Sequence, residues 1–410
     1  MPSFGMFSSS IAALNGHSTS LAAIGDNIAN VTSDGYKPKD ILFAELVNGK
    51  ARSESQTFNG MAPIARTLID KQGEILNTGR SLDAGIIGSG FFVVNSQLAG
   101  SGETLLTRAG SFQPRAESNG QVFLADRDGN FLQGWPANNS GGFTITPSIA
   151  SLGPIRIDPG SATFAPVAST LASLRANLNS TDPAGSVLNT NIDIFDSTGA
   201  TNNVNLAFTK NAVPNTWDLV VSSPDGAVTT GTPATVTFDA SGALIAPANQ
   251  SVSITWTNPA AGASTIAIDL SNISQFGGPS VQQASSSNGN PSGSLTNVSI
   301  NDNGEIDGQF SNGRTRAIYK LPIATVRNTA ALEERSGTHF ALGQDTGIVT
   351  LLEADQSAIA GLVGGGLENS SVQLSDEFTK MIVTQQAYNN AAQALRTVDE
   401  MFQIATTMKT

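Results

Sequence analysis

Apolar residues near the start of the chain recur every seven positions. Phe7, Leu14, Leu21 and Ile28 form one series, with Phe4 and Ile11 interleaved before Ser18 and Gly25 take over the second position. This 3-4 spacing predicts an amphipathic helix with a narrow apolar seam. The far end repeats the pattern: Leu367, Leu374, Met381, Tyr388, Leu395 and Phe402 recur every seven residues, with Phe378 and Ala392 among the intermediates. No Gly or Pro interrupts Ser375 to Lys409, which predicts a helix well beyond the usual length of roughly 8–20 residues. Two heptad helices at opposite ends of one chain are expected to pair with each other as a coiled coil. Ala391, Ala392, Ala394 and Ala405 in the second stripe leave room for several close neighbours.

Between the helices, alternation with period two takes over. Val187 to Phe195, Val204 to Thr209, Trp217 to Val221, Ala234 to Phe238, Val252 to Trp256 and Thr265 to Leu270 read as strands. Turn clusters such as Asp196-Ser197-Thr198-Gly199 and Pro224-Asp225-Gly226 separate them, a spacing that predicts a sandwich or barrel. A second β region flanks this one. Upstream lie Ile86 to Val94, Leu105 to Phe112, Gln121 to Ala125 and Phe131 to Trp135; downstream lie Leu295 to Ile300, Ile306 to Phe310, Ala317 to Val326 and Ile348 to Leu352. The simplest arrangement is nested, because insertion at a loop tip leaves the host domain's ends close together. The expected fold is therefore mainly β and multi-domain, with long terminal helices and nested, discontinuous β domains. Residues 1–30 with 370–410 form the terminal helical domain, and 31–70 an extended linker arm. Residues 71–160 with 291–368 form the inner β domain, and 161–290 the inserted outer one. The Ser/Gly/Asn-rich run Ser285 to Ser294 reads as a connecting linker.

Composition sharpens this division. Between Ser161 and Asn290 only Arg175 and Lys210 are basic, against seven Asp and no Glu. Over the whole chain charged residues are 13%, about half the usual share, and the net charge of −12 with no basic run argues against a nucleic-acid partner. The absence of cysteine excludes disulfides, thiolate metal sites and a cysteine nucleophile. No apolar run approaches the ~20 residues that span a bilayer, so no membrane insertion is expected. The first basic side chain is Lys37, so no positively charged leader precedes an apolar core. The expectation is a cytosolic chain or one exported without a cleaved signal peptide.

Candidate chemistry is sparse. His17 lies between heptad positions, His339 lies in a Gly-flanked β segment, and neither has the Asp/Ser pattern of a triad nearby. Asp345-Thr346-Gly347 matches the aspartic-protease tripeptide, but the second carboxylate such a site needs is absent, which leaves a tight turn. Asp126, Asp128 and Asn130 imitate the opening of a calcium loop, yet Phe131 and Ala137 stand where Gly and a bidentate Glu are required, so a β-turn is expected. Gly88-Ser89-Gly90 lacks the third glycine of a dinucleotide fingerprint and reads as a turn before a strand. No catalytic, cofactor or metal residue is assigned.

One run is more specific. Asp26-Asn27-Ile28-Ala29-Asn30-Val31-Thr32-Ser33-Asp34-Gly35-Tyr36-Lys37 resembles the signature shared by rod, hook and hook-associated axial proteins of the bacterial flagellum. Physically, Asn27 and Asn30 are expected to cap the frayed helix end, and Gly35 to permit the turn that follows. The blocks Gln72 to Asp83, Gly88 to Val94, Leu106 to Phe112, Leu132 to Trp135, Leu367 to Leu374 and Met381 to Tyr388 are similar to the same family, in the same order. Ile300 to Ile306 and Phe310 to Ile318 are similar to hook-type members, as is the large insertion, which distal-rod subunits lack. Asp26 and Gln386 depart from the family's usual Asn and Arg.

The resemblance implies a non-enzymatic subunit without cofactors, polymerising with itself into a flexible extracellular tube that transmits torque. It implies paired terminal helices in the tube core, with Phe7, Ile11, Leu14, Leu21, Ile28, Leu374, Phe378, Met381, Tyr388, Leu395 and Phe402 as the assembly interface. Asn27, Ile28, Ala29, Asn30, Gly35, Tyr36 and Lys37 carry the motif. Implied partners are the flagellar rod and hook–filament junction proteins, a hook cap and the type III export apparatus. Alternatives at this stage are a distal-rod or hook-associated subunit, or a secreted β-rich adhesin with coiled-coil oligomerisation.

Overall fold

The computed structural model describes residues 3–45, 61–98, 102–138, 141–354 and 360–407. The chain divides into two compact units. The first is Met1–Asp158 with Val298–Gly308 and Arg316–Thr410, and the second is Pro159–Asn297 with Gln309–Thr315. Neither terminal helix is long and apolar enough to cross a membrane.

In the first unit, helix α1 spans Ser3–Ala29 and helix α2 spans Leu374–Thr407. Asp376 and Glu377 occupy the first turn of α2, where carboxylates meet the positive end of the helix dipole. The two helices are in contact and antiparallel: Ser20, Ala23 and Ile24 of α1 share a groove with Thr384, Val383 and Lys380 of α2. The segment expected as an extended arm doubles back instead. Lys39–Glu45 and Met61–Thr67 pair as antiparallel strands, from Lys39 opposite Thr67 to Glu45 opposite Met61. This hairpin lies on α1, where Gly16 leaves room for Phe43; a Cβ on Gly16 would lie 3.0 Å from the Phe43 ring.

The β part of this unit is built around Phe91, Val93, Leu106, Trp135, Ala324, Phe340 and Leu351. Strand Phe92–Asn95 pairs with both Thr104–Thr107 and Phe131–Pro136, and His339–Ala341 extends the sheet beyond Thr104–Thr107. Two expected strands are broken. Ile86 to Val94 splits into Ala84–Gly88 and Phe92–Asn95 because Gly88 (φ 81°) and Gly90 (φ 148°) turn the chain. A side chain at Gly90 would lie 2.2 Å from Ile323. Ala317 to Val326 splits at Leu321 into Thr315–Lys320 and Pro322–Val326. The first break falls on Gly88-Ser89-Gly90, read above as a turn, although the strand was drawn across it; the second lies within a run where Ile318, Leu321 and Ile323 continue the apolar pattern, so hydrophobicity did not mark it.

The second unit is a two-sheet sandwich. One sheet holds Val187–Phe195, Thr201–Lys210, Thr216–Ser222, Ala234–Phe238 and Leu244–Ala246. The other holds Gly226–Thr230, Asn249–Trp256, Ala263–Asp269, Leu171–Asn179, Ile273–Phe276 and Val281–Ser287. Alternate residues of both sheets, among them Leu174, Leu178, Ile192, Leu206, Phe208, Trp217, Ile254 and Ile268, form one core. Much of the expected linker is strand: Val281–Ser287 runs into it and Gly293–Ile300 leaves it. Small polar side chains do the joining there. Ser286 Oγ lies 2.8 Å from Ser173 Oγ, and Asn288 Oδ1 accepts from the amides of Thr170 and Leu171 at 2.9 Å.

Candidate assembly site

The exit of α1 is held by Asn27, which is fully buried and uses both ends of its amide. Its Nδ2 donates to Lys39 O and to Glu377 Oε2, each at 2.9 Å. Its Oδ1 accepts from Lys39 N at 2.8 Å and from Tyr36 Oη at 3.2 Å. Asn27 therefore does not cap its own helix, as the sequence led us to expect; it joins α1, the hairpin and the first turn of α2. Capping falls to Asn30, whose Nδ2 donates to Asp26 O at 2.9 Å. Burial pushes the Tyr36 phenol up to about 12, with Glu334, Asp26 and Glu377 adding to the shift.

Just beyond it, three segments converge on Glu368. Lys37 Nζ lies 2.6 Å from Glu368 Oε1, with neither side chain exposed, and also donates to Lys71 O at 2.7 Å. Gly73 N donates to the same carboxylate oxygen at 2.7 Å, and Arg108 Nη1 lies 3.2 Å from Oε2. Gly35 N donates to Glu368 O at 2.7 Å. Burial pushes the Lys37 ammonium and the Arg108 guanidinium below their ordinary values, opposed in both by Glu368. Gly35 sits at φ 70°, and a Cβ there would lie 2.6 Å from Ala109 N, so this position requires glycine on two counts.

A third cluster was missed in the sequence. His339, read as having no Asp/Ser pattern of a triad nearby in the sequence, is buried with Nε2 2.7 Å from Asp126 Oδ2. Its Nδ1 lies 3.1 Å from Ser336 Oγ and 3.2 Å from Asp128 Oδ2. The expected turn at Asp126 is present: Oδ1 accepts from the amides of Asp128 and Asn130 at 2.9 Å. Burial pushes the Asp126 carboxyl up, but hydrogen bonds from His339 and Asn130 outweigh it and hold the group below its ordinary range. Arg127 reaches Asp34 at 3.3 Å, tying this turn to the motif loop. Nothing in the sequence brings residues 126 and 339 together; pairing of His339–Ala341 with Thr104–Thr107 does.

The predicted interface residues divide between covered and open faces. Glu377, Met381, Thr384, Ala391, Leu395 and Val398 are buried or half-buried, a 3-4 spaced face on α2. Leu374, Phe378 and Tyr388 are exposed, and so are Ile382, Val383, Met401 and Ile404. On α1, Leu14, Leu21 and Ile28 are half-buried and Ile11 is exposed. The most deeply buried positions of α1 are Gly16, Ala23, Ile24 and Asn27, offset from the leucine series because the hairpin covers that side. The side chains of Phe7 and Phe402 lie outside the described residues. Of the motif, Asn27, Gly35, Tyr36 and Lys37 are buried, Ile28 and Asn30 half-buried, and Ala29 exposed.

Comparison with known proteins agrees from end to end. The flagellar hook protein FlgE of Escherichia coli (strain K12) is 30% identical over 414 residues, covering 96% of this chain and 98% of that one. This chain belongs to the flagellar hook protein family. The hook protein FlgE of Rhizobium meliloti (strain 1021) is 28% identical over 418 residues, covering 100% of both chains. The flagellar basal body protein FlaE D2 domain matches residues 166–290, and the flagellar basal body rod FlgEFG protein C-terminal family matches 363–408. The crystal structure of Helicobacter pylori FlgE2 aligns with TM-score 0.44 and 13% identity over 70% of this chain and 99% of that one, a likeness too remote to carry an argument. The chain is a structural subunit of the bacterial flagellar hook, a polymer that serves motility.

Proposed function

We propose that α1 and α2 pair as a coiled coil and that neighbouring copies cover their remaining apolar faces, making the helices the core of a tube. The supporting observation is the run of Leu374, Phe378, Ile382 and Ile404 left exposed on α2, with Ile11 exposed on α1. A helix keeps such side chains out of water only by finding a partner. The interface comprises Phe7, Ile11, Leu14, Leu21, Ile28, Leu374, Phe378, Met381, Tyr388, Leu395 and Phe402, and the motif residues Asn27 to Lys37 set the angle at which the helices leave the β domains. Residues 1–30 with 370–410 form the helical core, 31–70 the connector, 71–160 with 291–368 the inner β domain, and 161–290 the outer one.

On this reading the tube is a flexible universal joint that passes motor torque to the filament, outside the cell. The chain leaves through the type III export apparatus without a cleaved signal peptide and assembles beneath a cap protein. Its ends join the rod and the hook–filament junction proteins. A surface with few charged side chains makes few strong directional pairs, which supports sliding between outer domains as the tube bends.

Two substitutions test the division of labour. Phe378 is 51% exposed and Leu219 is fully buried in the sandwich core. Phe378→Asp places an unpaired carboxylate in a covered interface, at a cost of several kcal/mol per copy. It should abolish hooks in cells while leaving the thermal transition of the purified monomer unchanged. Leu219→Asp should melt its own domain. Normal hooks from the Phe378→Asp chain would overturn the helix-core reading.

A further inference from the structure

Between residues 161 and 290 the outer sandwich has one unpaired charge of each sign among the described residues. Arg175 is exposed and has no hydrogen bond, ion pair or ring contact among the described residues. The other cation between residues 161 and 290, Lys210, is used: Nζ sits over the Trp217 ring at 5.6 Å and donates to Ser180 O at 2.5 Å. Six of the seven aspartates accept hydrogen bonds. Asp182 accepts from Ser280, Asp196 from Thr198, Asp218 from Asn211, Asp225 from Asn203 N, Asp239 from Ser241 and Asp269 from Ser271 N. Asp193 is exposed, and its side chain has no such partner among the described residues.

The strands decide where these two charges point. Arg175 alternates with the buried Leu174 and Ala176 on Leu171–Asn179 and so faces outward from one sheet. Asp193 alternates with the buried Ile192 and Ile194 on Val187–Phe195 and faces outward from the other. The core of the sandwich lies between them, and they form no ion pair within one copy.

Their surroundings differ in a complementary way. Arg175 borders a groove of about 760 Å³ that also holds Asn177, Ser274, Phe276 and Val281. Phe276 and Val281 are 56% and 44% exposed. Around Asp193 the opposite face presents Asn189, Asn191, Asn203 and Asn205, with Val220 exposed and Asp218 beside it. No Lys or Arg points from that face. One face thus offers an unpaired cation beside apolar side chains, with the carboxylate on that face, Asp269, already accepting from Ser271 N, and the other offers carboxylates among amides.

We propose that the Arg175 face of one outer domain docks on the Asp193 face of the outer domain in a second copy, with Arg175 paired to Asp193. The two faces are different surfaces of the same fold, so the contact is head-to-tail. A head-to-tail contact repeats from copy to copy rather than closing a dimer, which suits a chain that polymerises. An exposed pair is weak singly, so this contact orients and spaces outer domains whose polymer is held elsewhere. The inference rests on the polymer reading.

The chain has no cysteine, so thiols can be placed at will. Arg175→Cys chains and Asp193→Cys chains are co-expressed with wild-type chain, so that hooks form whatever the outer contact does. Purified hooks are then treated with a short thiol-to-thiol cross-linker. The expected result is a dimer joining one Arg175→Cys chain to one Asp193→Cys chain in hooks, and none in the dilute monomer mixture. Hooks that give no such dimer, or only Arg175→Cys pairs with itself, overturn the proposal while leaving polymerisation intact. Wild-type chain that builds no hooks would overturn the polymer reading instead. As a second arm, Arg175→Asp and Asp193→Arg hooks should each depart from wild type in the curvature and outer-domain spacing seen by electron microscopy, because like charges then stand opposite each other, and the double reversal should restore the wild-type form. A double variant no better than either single one also overturns the pairing.

Discussion

Lys37 and Glu368 stand 331 residues apart in the chain and 2.6 Å apart in the fold, with no part of either side chain exposed. The pair closes the first unit at the point where both helices enter it. Glu368 also receives Arg108 and the amide of Gly73. One carboxylate thus serves two buried cations, and the three groups are not interchangeable.

Glu368→Leu should be the most damaging single change at this junction, because it leaves Lys37 and Arg108 buried without a counter-charge. Removing one partner of a buried ion pair costs about 3–5 kcal/mol, and this variant should lie at or beyond the upper end. Lys37→Met should cost less, since Arg108 still pairs with Glu368. Thermal unfolding of the two monomers gives the order directly. Equal losses would show that the cations do not depend on the carboxylate.

Asn27→Asp should unfasten the helix from the hairpin. The change removes the Nδ2 donor and sets a carboxylate 2.9 Å from Glu377 Oε2. A buried acceptor left without its donor costs about 1–3 kcal/mol, more when charged. Amide exchange at Lys39, whose N–H now donates to Asn27, should quicken well beyond exchange in the outer sandwich. Uniform change across both units would count against a local fastening.

Gly35→Ala should destabilise the first unit without touching the outer sandwich. It combines a left-handed φ of 70° with a Cβ 2.6 Å from Ala109 N. Backbone strain alone accounts for about 1–3 kcal/mol, before the neighbouring chain has to move. Two thermal transitions, the lower shifted and the higher fixed, is the expected record; an unshifted first transition would remove Gly35 from the junction.

Acid should act through Asp126. Its folded-state carboxyl lies below the ordinary range, so its contribution is complete above the unfolded value of about 4. That contribution is lost as pH falls from there through the folded value. Asp126→Asn should be less stable than wild type at neutral pH and lose less stability in acid. Parallel stability–pH curves for the two proteins would show that the His339–Asp126 contact carries no such linkage.

Much of the architecture was legible because it is written in local periodicity. Seven-residue spacing marked both helices, and period-two alternation around Ile192, Leu206, Leu219 and Ile254 marked the sandwich strands, since each pattern reports which side of an element meets a core. Strands without strong alternation were not visible: Val281–Ser287 is made mostly of serine and glutamine and is held by cross-strand hydroxyls and amides. The break at Leu321 was hidden for the opposite reason, apolar residues running on through it, whereas the turn at Gly88-Ser89-Gly90 was legible from its glycines.

The motif from Asn27 to Lys37 could be recognised in the sequence, but the partners of its side chains could not. Asn27 looked like a cap because a local carbonyl or amide is the nearest partner a linear reading offers. Its actual partners, at Lys39 and Glu377, exist only because the hairpin and α2 fold onto α1. The same holds for Lys37 with Glu368 and for His339 with Asp126. Sequence by itself determined which elements form and which faces are apolar, because those depend on neighbours a few residues away. Only the tertiary structure decided which buried charges meet and which apolar faces stay open, because desolvation and pairing depend on segments hundreds of residues apart.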